Sequence, residues 1–304
     1  MAQYLFDEPR FHDPEIAREH LEAIRWPDGP ICPHCGACDR IGKLNGKAHR
    51  PGVYECGHCR DQFTVTVGTL FERSKVSLDK WLFAATLMAS SKKGVSSKQI
   101  ERMLGVTYKT AWFMTHRLRE AMKPNGAGLL GSGSGTIEAD ETFIGHKPGT
   151  KVRRGHGHKE AVFSLVERAG QVRSFHVNDV TGETLRWKLT ENVAYTATLM
   201  TDEARQYTEI GKDFADHQSV NHSAEEYVRG DAHTNTIEGF FSIFKRGMYG
   251  VYQHCSSHHL HRYTTEFDFR YNHRQKLGFD DAMRTEELLK GIGGKRLTYR
   301  WANQ

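Results

Sequence analysis

The sequence predicts an α/β protein whose C-terminal half folds as a mixed sheet with helices, preceded by two smaller modules. Three observations predict it. Two Cys-x-x-Cys pairs stand near the start, a basic helical stretch ends in a glycine-rich run at 125–135, and the segments after that run begin with three strands and then alternate. A chain of 304 residues has room for two or more domains. The expected division is 1–70, an N-terminal helix and cysteine module; 71–124, a helical module; 125–135, a linker; 136–276, the α/β domain; and 277–304, a C-terminal tail.

Five of the six cysteines cluster early, as Cys32, Cys35 and Cys38 and then Cys56 and Cys59. Cys32-Pro33-His34-Cys35 and Cys56-Gly57-His58-Cys59 form two knuckles with 20 residues between them. Four thiolates at that spacing close a tetrahedron, so Cys32, Cys35, Cys56 and Cys59 are expected to hold one structural Zn2+, with Cys38 as a substitute for Cys35. Tyr54 precedes the second pair, and residues 62–67 alternate as a strand. That is a zinc ribbon, with a sheet too small to fold without metal. The redox reading of Cys-x-x-Cys needs a neighbouring βαβ pattern, which is absent. Cys255 reads as a small buried hydrophobe.

The next module is basic. The whole chain carries +5 with a pI near 8.8, but residues 73–123 hold eleven Lys and Arg against three acids. Such a run is the footprint of a polyanion-binding surface, and a solvated helical face is the plainer alternative. A helix starts at Leu78 and Asp79 and is broken by Gly94. A second, 96–104, ends at Gly105, and Val106 and Thr107 lead into a third, 108–119. A short helix, a glycine turn and a longer basic helix make the helix-turn-helix pattern. Ala111, Met114 and Leu118 form the core side of its last helix. The expected DNA contacts are Lys98, Tyr108, Lys109, Thr110, Arg117 and Arg119. Five glycines in the eleven residues 125–135 read as a flexible linker.

Beyond it come a strand at 136–144 and a glycine-rich basic loop at 145–159, whose Arg153 and Arg154 suit a phosphate backbone. Strands 161–167 and 172–177 form a hairpin. Helix 182–192, strand 196–201 and helix 204–214 follow, then a short strand at Ser219-Val220-Asn221-His222 and a final amphipathic helix. This is the ribonuclease H-like order, in which the first and fourth strands are neighbours. Asp140 in the first of these strands, Asp202 after the fourth, and Glu238 opening the helix are then set to converge. Each acid alone has an ordinary reading, as a turn former, a helix cap or a first-turn acid. Together they suit a two-metal phosphoryl-transfer site, since hard divalent ions take oxygen ligands. Lys245, two turns beyond Glu238, shares its helix face. Glu141 should point to the opposite face of its strand from Asp140.

Several stretches carry a more specific resemblance: Cys32-Pro33-His34-Cys35-Gly36, Phe63-Thr64-Val65-Thr66-Val67-Gly68-Thr69, Glu138-Ala139-Asp140-Glu141-Thr142, His233-Thr234-Asn235-Thr236-Ile237-Glu238-Gly239-Phe240-Phe241 and Arg270-Tyr271-Asn272-His273-Arg274. On these the chain resembles the bacterial insertion-sequence DDE-type transposases of the ISXO-two-like group, relatives of the Merlin transposases. The resemblance implies a catalytic triad at Asp140, Asp202 and Glu238 holding two Mg2+ or Mn2+ ions, with Lys245 as the basic residue after the glutamate. Asn235, His233 and Asp231 stand nearby as alternative third ligands. It implies end cleavage and joining of 3′ ends to a target. The partners are then double-stranded DNA, as element terminal inverted repeats and target, and further copies of the chain as a dimer or higher oligomer. Gly291-Ile292-Gly293-Gly294-Lys295 lacks the phosphate-loop spacing, so no nucleotide cofactor is expected. No signal peptide and no membrane-length apolar run is visible, which predicts a cytoplasmic protein acting on DNA. Two rival functions remain: a ribonuclease H-like structure-selective nuclease without strand joining, and a non-catalytic zinc-ribbon regulator.

Overall fold

The computed structural model describes residues 5–126, 128–220 and 233–298. Asn221 and His222 of the expected last strand, and Asp231, lie outside the described residues. The chain divides into two units, one of residues 1–91, 95–123 and 280–304, the other of 92–94 and 124–279.

In the first unit Asp13 starts helix α1 (Pro14–Arg25) by accepting the backbone N–H groups of Glu15 and Ile16. The ribbon is three antiparallel strands in sequence order, β1 (Ile41–Lys43), β2 (Tyr54–Cys56) and β3 (Gln62–Phe63). β3 stops short of the expected 67 because residues 64–67 turn, with the Val67 N–H on the Thr64 carbonyl and the Thr64 and Thr66 hydroxyls paired. The small sheet also has apolar support: the rings of Trp26, Tyr54 and Phe63 lie 5.4 to 5.9 Å apart. The Tyr54 hydroxyl donates to Glu22 of α1.

Helix α2 (Leu78–Ser90) buries Trp81, Leu82, Ala85 and Met88. Ser96 caps α3 (Ser97–Leu104), which ends on Gly105 at φ 59°, where a glycine avoids the Cβ clash. Thr107 then caps α4 (Tyr108–Ala121) by accepting the Thr110 N–H. This is the expected helix-turn-helix. The C-terminal segment is more than a tail. It forms α9 (Asp281–Lys290), which packs on α1, α2 and α4. Arg284 donates to the Ala89 carbonyl, and Lys295 to the carbonyls of Ala121 and Lys123. With α2, α3 and α9 all against it, α4 buries more than one stripe, and Arg119 falls inside at 1% exposure. The expected role of Arg119 at a DNA surface is corrected accordingly.

The second unit is built on a five-stranded sheet in the order β6-β5-β4-β7-β8. Here β4 is Thr136–Ile144, β5 Glu160–Glu167, β6 Val172–Val177, β7 Thr198–Asp202 and β8 Asp216–Val220. β4, β5 and β6 are antiparallel neighbours, while β4, β7 and β8 run parallel. That is the ribonuclease H-like sheet. Side chains alternate across it, so the strands feed two cores. On one side Leu185 and Leu189 of α5 (Gly182–Asn192) and Tyr207 of α6 (Gln206–Ile210) pack on Ile137, Ala139 and Leu199. On the other, Ile237, Phe240, Phe241 and Phe244 of α7 (Asn235–Gly247) and Phe267 of α8 (Leu260–Asn272) pack on Ile144, Val162 and Val166. Each such side chain contributes roughly 1.5–3 kcal/mol through burial.

Three expectations change. The expected helix 204–214 is shorter at its start and changes kind: α6 spans Gln206–Ile210 and tightens into a 3-10 turn at Gly211–Asp213, where Gly211 lies so close to His217 that a Cβ would overlap its ring. β8 begins at Asp216 and not at 219. The glycine-rich run is a tether only in its first part. From Leu130 onward it is fixed: Leu130 is buried, its N–H donates to the Asn192 carbonyl, and its own carbonyl accepts from Ala194. Gly131 sits at φ 71° with no room for a Cβ beside Ala197, and its N–H donates to Glu167. Among the described residues, no helix is long and apolar enough to cross a membrane.

Candidate active site

Strand β4 sends Asp140 and Glu141 to opposite faces of the sheet. Glu141 turns toward α6, where Tyr207 and Gln206 lie beside its carboxylate. Asp140 shares its face with Glu138 and looks toward α7. The parallel pairing of β4 and β7 matches Thr136 with Thr198, Ile137 with Leu199 and Glu138 with Met200. The ladder ends there, two residues short of Asp140 and Asp202, and the charges of Asp202 and Glu238 both act on Asp140. Glu238 stands exposed in the first turn of α7, with its Oε1 accepting from the Thr234 hydroxyl at 3.0 Å. Lys245 is exposed in the last turn of that helix.

The acids act on one another. Burial first, then the charge of Glu141, with Asp202 and Glu238 adding, pushes the Asp140 carboxyl up to about 7. Burial likewise pushes Glu141 up to about 7, and the Tyr207 phenol rises well above its usual range through burial and Glu141. Carboxylates that oppose one another's ionisation are relieved by a cation, and Asp140, Asp202 and Glu238 are all oxygen donors of the kind hard divalent ions take, though among the described residues their ligand atoms do not close into a metal-holding group.

One acid in this strand was passed over in the sequence. Glu138 is fully buried. Its Oε1 accepts from Arg168 Nε at 2.8 Å and lies 3.3 Å from His233 Nδ1, and its Oε2 accepts the Ile237 N–H at 2.9 Å. A signal was present: an acid two residues from Asp140 shares its face, and an acid in the central strand of a sheet requires partners.

In the first unit, the Cys32 and Cys59 sulfurs lie 3.7 Å apart and those of Cys35 and Cys56 3.6 Å apart. Among the described residues these four thiols are the one His, Cys, Asp or Glu group found whose ligand atoms all lie within 4.8 Å of one another, which suits a structural zinc. The Cys59 backbone N–H, helped by that of His58, holds the Cys56 thiol down at about 6. At Cys59 the pull of the Asp61 N–H is outweighed by burial and the neighbouring thiols, which push its thiol up to about 12, so the four thiols oppose one another's ionisation until a metal relieves them. Cys38 lies outside the group, and Cys255 is half-buried against the α7–α8 core.

The expected DNA contacts other than Arg119 are accessible in part or in full. Lys98 sits 4.9 Å over the Tyr108 ring and pairs with Glu101 at 2.8 Å. Lys109, Thr110 and Arg117 line a groove of about 320 Å³ together with Arg73 and Lys75. Arg117 also lies 4.5 Å over the Phe113 ring. Arg153 and Arg154 are exposed in the loop between β4 and β5.

Residues 133–272 match the ISXO2-like transposase domain, and residues 13–62 the transposase zinc-ribbon domain. By these two domains the chain belongs with the ISXO2-like transposases. A Halobacterium salinarum protein described as an uncharacterized protein in transposable element ISH50 is 29% identical over 269 residues, 82% of this transposase and 88% of that protein. The likeness therefore extends to an archaeal element. Two solved structures also align. The Mos1 strand transfer complex does so at 11% identity over 61% of this chain and 73% of that one, with a TM-score of 0.22. The Drosophila P element transposase strand transfer complex does so at 10% identity over 72% and 64%, with a TM-score of 0.29. Likeness that slight carries no weight for the site.

Proposed function

We propose that this transposase binds the ends of an insertion sequence, cuts them and joins the freed 3′ ends to target DNA, using Asp140, Asp202 and Glu238 as metal-holding carboxylates. The observation that supports this most is the parallel β4–β7 pairing, which ends two residues short of Asp140 and Asp202, together with the charges of Asp202 and Glu238 acting on Asp140. Two Mg2+ or Mn2+ ions, when bound, supply the Lewis acidity that activates water or a 3′-hydroxyl and stabilises the leaving oxygen. The chain's own residues do the rest. The three carboxylates fix the ions' positions, and Lys245 contacts the DNA near the scissile phosphate. Tyr108, Lys109 and Thr110 at the start of α4 reach base edges, while Lys98, Arg117, Arg153 and Arg154 neutralise phosphates.

The test is incubation of the protein with its element ends, Mg2+ and a plasmid. The expected product is plasmid covalently joined to the ends. Metal-dependent cleavage without joining would leave a nuclease, and no metal-dependent cleavage would leave a DNA-binding protein without this chemistry.

A further inference from the structure

Glu138 is fully buried. Its two oxygens are spent on the start of α7 and on Arg168 of the turn between β5 and β6. Oε2 accepts the backbone N–H of Ile237, one of the first-turn donors that the helix cannot satisfy itself. Oε1 takes Arg168 Nε and faces His233 Nδ1, and Arg168 Nη2 donates to the His233 carbonyl at 2.9 Å. Arg168 is itself tied to β4, since its N–H donates to the Thr136 carbonyl. A negative charge at a helix N-terminus is favourable, and here it comes from a neighbouring strand, so it fixes the helix in space as well as capping it. The residue after Ile237 is Glu238, and the residue two before Asp140 is Glu138.

We infer that Glu138, with Arg168, is the positioning pair that sets α7 at the height where Glu238 faces Asp140. The inference rests on the reading of these acids as metal ligands. It also assigns His233 to the clamp, leaving Glu238 as the ligand on this helix turn. Glu138→Gln keeps an acceptor for Ile237 but removes the charge that Arg168 and His233 face, while Arg168→Lys keeps both charges and loses the planar fork.

The experiment uses the full chain and two readouts: amide exchange over residues 235–240, and Mn2+ binding followed by the resonance of the free ion. Asp140→Asn serves as the control for the metal reading. In Glu138→Gln, exchange at 235–240 should quicken about tenfold while β5 and α5 stay protected, and Mn2+ affinity should fall about tenfold. Arg168→Lys should move both in the same direction by less, and it stands in if Glu138→Gln does not fold. Unchanged exchange at 235–240 in the folded variants would overturn the clamp. Quickened exchange with wild-type Mn2+ binding, while Asp140→Asn loses Mn2+, would show that the clamp holds the helix without setting the site, and would overturn the positioning role alone. Wild-type Mn2+ binding in Asp140→Asn would remove the metal reading, and this inference with it.

Discussion

Asp268 on α8 is a half-buried carboxylate away from the reaction. Its oxygens accept the Ser174 N–H at 2.7 Å and the Ser174 hydroxyl at 2.6 Å, and Ser164 donates to that hydroxyl at 2.8 Å. Burial nevertheless pushes its carboxyl up to about 7, against the pull of the Ser174 donors. An unfolded aspartate titrates near 4, so between about pH 4 and 7 the folded chain holds a proton that the unfolded chain has released. Stability from this group is therefore greatest at low pH and falls by about 1.4 kcal/mol per pH unit as pH rises through that window. Asp268→Asn should flatten that fall, with its melting temperature gaining on the wild type by roughly 3 °C or more by pH 7.5. Parallel curves from pH 4 to 8 would show that the carboxyl is ionised throughout. Asp140→Ala, Asp202→Ala and Glu238→Ala should each abolish cleavage and leave end binding intact, because the grip on DNA lies elsewhere. An active Asp140→Ala protein would end the DDE reading. At this scale the sequence exposes residues whose type betrays their chemistry, such as four cysteines at knuckle spacing. It hides those defined by a distant partner. Glu138 needs Arg168 and Ile237 to be understood, and Arg119 needs α9.

Elements were legible where periodicity and caps agree. β4, β5, β6 and α5 fall close to their expected bounds because alternation, a hairpin turn and a threonine cap mark them. The elements that differ depend on close approaches: α6 tightens into a 3-10 turn where Gly211 meets His217, and β3 stops where two threonines turn the chain. The ribbon gains the Trp26–Tyr54–Phe63 cluster, which refines what metal loss should do. Cys56→Ser should lose the zinc and expose the knuckles at 30–60 to amide exchange, while α1 and the ring cluster exchange more slowly. One zinc retained per chain in that variant would sink the ligand assignment. At the helix-turn-helix, Lys109→Ala should weaken binding to element ends and lower the salt slope by about one, since one phosphate contact releases about one counterion. A wild-type slope would move the docking surface away from α4.

At the scale of the molecule the sheet order was readable from the succession of strands and helices, because parallel neighbours need crossovers and antiparallel ones need only hairpins. The return of the C-terminal segment to the first unit was not readable, since nothing local in 280–298 says which helices it will meet. The fixed start of the second unit at Leu130 also leaves a shorter tether than the glycines suggested. One consequence of the proposed chemistry belongs to this scale. An insertion sequence has two ends, and each joining reaction needs a metal site holding its own strand, so at least two copies of the chain should act on a pair of ends. The segment after α7 is anchored inward at two points, with Met248 buried and the Tyr252 hydroxyl on Glu266 at 2.5 Å, while Tyr249 between them is 53% exposed and open to a second copy. Mass measurement on paired ends should give two or more chains per pair. Mixing is the sharper test. Asp140→Ala should retain end binding and Lys109→Ala should retain chemistry, so at a salt concentration where Lys109→Ala no longer holds the ends, a mixture should recover joining that neither supplies alone if one copy grips the end that another cuts. A joining-competent complex containing a single chain would refute the multimer. A mixture no more active than its components would mean that each copy cuts the end it holds.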